Sequence, residues 1–83
     1  MIPATDVATT VDAFVARRAP GVVIAGDTPM FALGILDSVA LVDLVTFLED
    51  DLGILVLDHE LVPENFATRD RIVEFVERKR DAR

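Results

Sequence analysis

With 83 residues the chain has room for one domain, residues 1 to 83, which would bury about 60–65% of its unfolded surface and leaves no space for an enclosed catalytic chamber. It has no cysteine, which excludes disulfides, thiolate metal sites and a thiol nucleophile of its own. A net charge of -7 disfavours phosphate backbones and anionic lipid, so neither nucleic acid nor membrane is an expected partner. The charge is also unevenly placed. Lys and Arg occur only at Arg17, Arg18 and from Arg69 onward, while residues 19 to 68 contain only acids, which predicts a surface attractive to basic patches on other proteins. Without a basic leader or a run as long as a membrane span, the chain is expected to be a soluble cytoplasmic protein.

The apolar residues follow helical spacing. Val7, Val11, Phe14 and Val15 predict a first helix over about 6 to 18, capped by Thr5 or Asp6 and ended by Pro20-Gly21. Residues 19 to 37 hold too many Pro and Gly for a long element, and Val22 to Ile24 is the one place for a short strand. A loop is preferred, docking Val23, Ile24, Phe31, Leu33 and Leu36 on the core, with a single helical turn opening at Thr28-Pro29. The second helix is expected over 38 to 52, with Leu41, Val42, Leu44, Val45, Leu48 and Leu52 inward. Ala40, Asp43, Thr46, Phe47 and Asp50 fall on the other side, and Gly53 is the stop.

Ile54 to Leu57 is read as a loop over the core, since a strand there would have no comparable partner. Asp58 is expected to cap a short helix over about 59 to 65, limited by Pro63, and Thr68 a last helix over 69 to 80. Ile72, Val73, Phe75 and Val76 face inward there, while Arg78, Lys79 and Arg80 complement the helix dipole in the last turn. Residues 80 to 83 read as a frayed tail. The expected fold is all-α, a small four-helix bundle of three longer helices and one short one, with a long loop between the first two.

The chemistry is concentrated at Gly34-Ile35-Leu36-Asp37-Ser38, directly ahead of the acidic second helix. Gly34 lets the chain turn, Leu36 anchors the loop by burial, and Asp37 and Ser38 are left outward, placing a hydroxyl at a helix start where free N–H groups favour a negative charge. No general base lies within the motif, and the single histidine, His59, is far along the chain, so Ser38 is not read as a catalytic nucleophile and the chain is not read as an enzyme.

This motif and the acidic helix behind it resemble the acyl carrier protein family, including its peptidyl and aminoacyl carrier domains. The resemblance covers most of the chain. It implies an acyl-carrier-type bundle and a 4′-phosphopantetheine arm, derived from coenzyme A, esterified to Ser38 beside the motif aspartate Asp37. It also implies partner contacts at Val39, Asp43, Thr46, Phe47, Glu49 and Asp50. Gly53-Ile54, Asp58-His59-Glu60-Leu61 and Phe66-Ala67-Thr68 fit the same pattern. Departures are Val39 in place of the commoner leucine, the less polar Ala40-Leu41 turn, and Thr46 where an apolar contact residue is common. The implied partners are a phosphopantetheinyl transferase, a loading enzyme for an acyl or aminoacyl group, and downstream synthase or tailoring enzymes of fatty-acid, polyketide or nonribosomal-peptide type pathways. A monomer is expected, either free-standing or cut from a larger synthase.

Each residue also has a plainer reading. An isolated Asp-Ser step is most often a helix cap, an aromatic such as Phe47 is most often core edge, and a lone His59 beside acids is a solvated residue rather than a metal ligand. No metal site is expected, and Glu49-Asp50-Asp51 lacks the ligand spacing of a calcium loop. The alternative function is a helical interaction module that binds basic proteins through its second helix and carries no prosthetic group.

Overall fold

The computed structural model describes residues 4 to 81. Four α-helices follow in order: α1 (Ala4–Arg18), α2 (Ser38–Leu52), α3 (Pro63–Phe66) and α4 (Arg69–Asp81), with a 3-10 turn over Asp58–Glu60 ahead of α3. There is no strand among the described residues, so Val22 to Ile24 is loop, and the chain forms the expected small all-α bundle of three longer helices and one short one. Helix α1 begins ahead of the expected caps. Thr5 and Asp6 lie inside its first turn rather than ahead of it.

Helices α1 and α2 run antiparallel, and three side-chain pairs four residues apart in α1 fix their register. Thr10 Oγ1 donates to Asp51 Oδ2 at 2.6 Å, the rings of Phe14 and Phe47 stand 5.8 Å apart, and Arg18 Nη2 lies 3.8 Å from Asp37 Oδ1. Ala40, Phe47 and Asp51 therefore form the edge of α2 that faces α1. This corrects two assignments: Ala40 is fully buried under α1, while Val42, on the uncovered edge, is exposed.

The long loop is fastened to the start of α4. Met30 N–H donates to Ala67 C=O and Asp70 N–H to Gly26 C=O, both at 2.9 Å. Ile24 and Leu36 are buried and Phe31 is partly so, but Val23 and Leu33 point outward, and Met30, not among the expected anchors, is fully buried. The Met30 carbonyl accepts from both Ile35 and Leu36, which folds the segment back on itself and leaves Leu33 at its tip. The turn expected at Thr28-Pro29 amounts to one helical bond, Leu33 N–H to Pro29 C=O.

Beyond Gly53 the loop alternates, with Ile54 and Val56 inward and Leu55 and Leu57 outward. The short helix expected over 59 to 65 is divided. Leu57, not Asp58, precedes the 3-10 turn, and the Glu60 carboxylate satisfies its N–H; Pro63, lacking an N–H, opens α3 at the first helical position. Thr68 Oγ1 accepts from Arg71 N–H and caps α4, which carries Arg80 and Asp81 in its last turn rather than in a frayed tail; residues 82 and 83 lie outside the described residues. The core is aliphatic apart from Phe66 and Phe75, packed tilted at 5.2 Å.

Two outcomes test this packing. Phe66→Ala, which empties a fully buried site, is expected to cost about 3–5 kcal/mol in urea unfolding. Val23→Ala, at a residue 93% exposed, should change stability by less than about 0.5 kcal/mol.

A further outcome concerns the Lys79–Glu60 pair that joins the 3-10 turn to α4. The Lys79 ammonium, and next the Leu57 N–H, hold the Glu60 carboxyl below the ordinary glutamate value of 4.5. This contribution is fully present above the unfolded value and is lost as pH falls through the folded one. The urea midpoint should therefore drop with acidification below 4.5 more steeply in the wild type than in Glu60→Gln; equal slopes would remove Glu60 from the account.

Candidate functional site

The loop reaches α2 through a tight turn. Gly34 takes φ +75°, which a side chain would strain, and Leu36, 2% exposed, pins the chain two residues before the helix. Asp37 is then extended (φ -136°, ψ -173°), and its Oδ1 accepts Ala40 N–H at 2.8 Å while its carbonyl accepts Leu41 N–H at 2.8 Å. Asp37 is thus the N-cap and Ser38 the first residue of the helix. The plainer reading of the Asp-Ser step as a cap holds for Asp37 and not for Ser38. At the far end Gly53, in the left-handed region at φ +67°, returns its N–H to Glu49 C=O and stops the helix as expected.

Ser38 is exposed, and its hydroxyl makes no hydrogen bond within the described protein, although it is the one serine of the sequence. The threonines differ. Thr10 donates to the Asp51 carboxylate and Thr46 to the Val42 carbonyl, and Thr28 and Thr68 accept from backbone N–H groups. A free hydroxyl on the first turn of a capped helix is open to esterification. The N–H groups of Ser38 and Val39 precede the first intrahelical bond, and no acid occupies the first turn of α2, so an added phosphodiester would meet donors there rather than an anion of α2 itself. The residues present therefore fit a phosphopantetheine ester at Ser38.

The expected contact residues divide into three groups. Asp43, Thr46, Phe47 and Asp50 line one shallow groove between α2 and α1 with Phe14, Arg17 and Arg18. Val39 stands apart and 70% exposed. Glu49 turns toward the following loop, where its Oε2 accepts Val56 N–H at 2.9 Å, so it holds structure as well as charge. Phe47 is half-buried against Phe14 with the Arg17 guanidinium 5.8 Å above its ring, the core-edge reading of that aromatic.

Sequence reasoning missed Arg17 and Arg18 as members of this region. Their position as the only cations before Arg69 was visible, but not that α1 would bring them beside Asp37 and Phe47. The acidic middle of the sequence is therefore not a one-sign surface in space. A second groove, about 790 Å³, lies elsewhere, between the Gly53–Leu57 loop, His59 and Glu60 on one side and Phe75, Arg78 and Lys79 on the other. It adjoins the C-terminal end of α2, a helix whose fifteen residues span about 22 Å from the Ser38 turn. His59, exposed beside that groove, is far from Ser38, and no cluster of three or more metal-ligating side chains occurs among the described residues.

Because Asp37 caps and Ser38 does not, Asp37→Ala should cost about 0.5–2 kcal/mol of stability, whereas Ser38→Ala should stay within about 0.5 kcal/mol of wild type in the same urea titration.

No family model matches the chain. It is 43% identical over 51 residues to a probable acyl carrier protein, PigG, of Serratia sp. (strain ATCC 39006). The match takes in 61% of this chain and 59% of that protein, so the shared stretch spans less than two thirds of the relative's length. The chain is accordingly related in sequence to an acyl carrier protein, the family that the Gly34–Ser38 motif and the helix order resemble.

Proposed function

We propose that this chain is a carrier protein whose Ser38 bears a 4′-phosphopantetheine arm. The observation that carries the reading is the exposed, unbonded Ser38 hydroxyl set on the first turn of a helix that Asp37 already caps. The similarity to a probable acyl carrier protein supports it. In the modification, Ser38 Oγ forms a bond to the phosphorus of coenzyme A that bears the pantetheine, the pyrophosphate bond to adenosine 3′,5′-bisphosphate breaks, and the serine proton passes to a base of the modifying transferase. This chain supplies no such base beside the hydroxyl, because Asp37 is engaged by Ala40 N–H and His59 lies by the opposite end of α2.

The arm would supply a thiol, absent from the chain itself, on which an acyl or aminoacyl group travels as a thioester. The protein's own part is to hold the attachment point rigid and exposed and to present docking charge around it. Asp43 and Asp50 on the α1-facing groove, with Val39 nearer the attachment turn, form the surface we assign to the transferase and to loading and synthase enzymes. Contacts of this kind are steered electrostatically and weakened by salt, which suits a carrier that must leave each enzyme in turn. The cargo would serve synthesis of fatty-acid, polyketide or nonribosomal-peptide type, in the cytoplasm. No described helix is long and apolar enough to cross a membrane.

Incubation with coenzyme A, Mg²⁺ and a broad-specificity phosphopantetheinyl transferase should add one phosphopantetheinyl mass to the wild type and none to Ser38→Ala. A folded wild type that gains no mass beside an active control would overturn the carrier reading. Asp43→Lys, at an exposed position without an internal bond, should slow the addition at low salt and leave the urea midpoint unchanged; Glu49→Lys is the poorer probe because it also removes the Val56 contact.

A further inference from the structure

The last turn of α1 brings two arginines to the acidic helix, and they are engaged differently. The Arg17 guanidinium covers the Phe47 ring at 5.8 Å. Arg18 extends to the loop-to-helix junction, where Nη2 stands 3.8 Å from Asp37 Oδ1, an ion-pair distance too long for a hydrogen bond. That oxygen already accepts Ala40 N–H at 2.8 Å. The Arg18 side chain is 36% exposed, and none of its five N–H donors is taken up by a hydrogen bond within the described protein. A cation with uncommitted donors is thus held next to the residue that precedes Ser38.

We propose that Arg18 is the counter-ion of the phosphodiester that modification places on Ser38, an inference that rests on the carrier reading above. Esterification adds an anion one residue from the Asp37 carboxylate, and two adjacent anions repel unless a cation lies with them. Arg18 can leave its long contact with Asp37 for the phosphate oxygens without breaking a hydrogen bond. Its planar guanidinium suits a bidentate grip on phosphate, which a lysine would replace only as a point charge. Arg17 does not share the role, because its guanidinium is engaged on the aromatic ring. Asp37 is the one acid within ion-pair distance of this cation, so the phosphodiester on Ser38 would be its second anionic neighbour.

The test compares unmodified and modified forms of the wild type, Arg18→Gln and Arg18→Lys, each verified by intact mass, and reads the unfolding constant in urea at low ionic strength. Arg18→Gln is expected to raise the unfolding constant of the modified form about two- to fivefold more than that of the unmodified form, the range of an exposed charge pair. Arg18→Lys should recover part of that excess. The excess should close in about 1 M salt, where screening acts within about 3 Å. Equal factors in the two forms would overturn the counter-ion role while leaving the carrier reading intact. A wild type that cannot be modified at all would remove both.

Discussion

Everything at the functional end of this molecule depends on how the chain enters α2. Leu36 is sealed in the core, Asp37 is extended, and the Asp37 carboxylate closes the first turn through Ala40 N–H. Burial fixes the position of the junction, and the cap fixes its direction. Because those two residues perform the structural tasks, the next one is relieved of both. Ser38 can keep an exposed hydroxyl with no internal partner, on backbone held as firmly as the helix itself. An attachment point needs that combination: a loop serine would be exposed without being rigid, and a buried one rigid without being exposed.

The antiparallel register of α1 and α2 then determines what surrounds that point. Thr10 with Asp51, Phe14 with Phe47 and Arg18 with Asp37 form a ladder along the interface, bonded at one end, aromatic in the middle and ionic at the other. The ladder brings α1's last-turn cations, which its own carbonyl end favours, to the positive end of α2. Charge separated along the sequence is therefore mixed in space at the attachment turn. The face that results carries a guanidinium among its acids at the junction rather than acids alone.

Much of this was legible in the sequence, and the failures share a physical character. The bounds of α2, its Gly53 stop and the Thr68 cap of α4 follow from local signals, namely 3.6-residue periodicity and cap chemistry, that act within one turn. The burial of Ala40 and exposure of Val42 depend on which edge of α2 meets α1, and both lie equally far from the centre of the apolar stripe, so periodicity could not rank them. In the long loop no period exists, and Met30 rather than Val23 enters the core because its backbone is tied to Ala67 at the start of α4, a contact 37 positions away along the chain. The short helix is divided at Leu61-Val62, with the Glu60 carboxylate capping the 3-10 turn at Leu57 N–H and Pro63 opening α3, two local devices that a single run over 59 to 65 did not separate. At the site itself, Asp37 and Ser38 were read correctly as outward, but the division of labour between cap and free hydroxyl needed the coordinates, as did the arrival of Arg18.

The central claim is that the one serine of this chain, freed from capping, is the attachment point of a phosphodiester-linked arm. The most direct measurement is fragmentation mass spectrometry of proteolytic peptides after transfer from coenzyme A, assigning the added group to a residue. The account predicts that all of it resides on Ser38, in the peptide running from Arg18 toward Arg69. An addition carried by any threonine, or a Ser38 peptide of unmodified mass beside a fully active transferase, would contradict it.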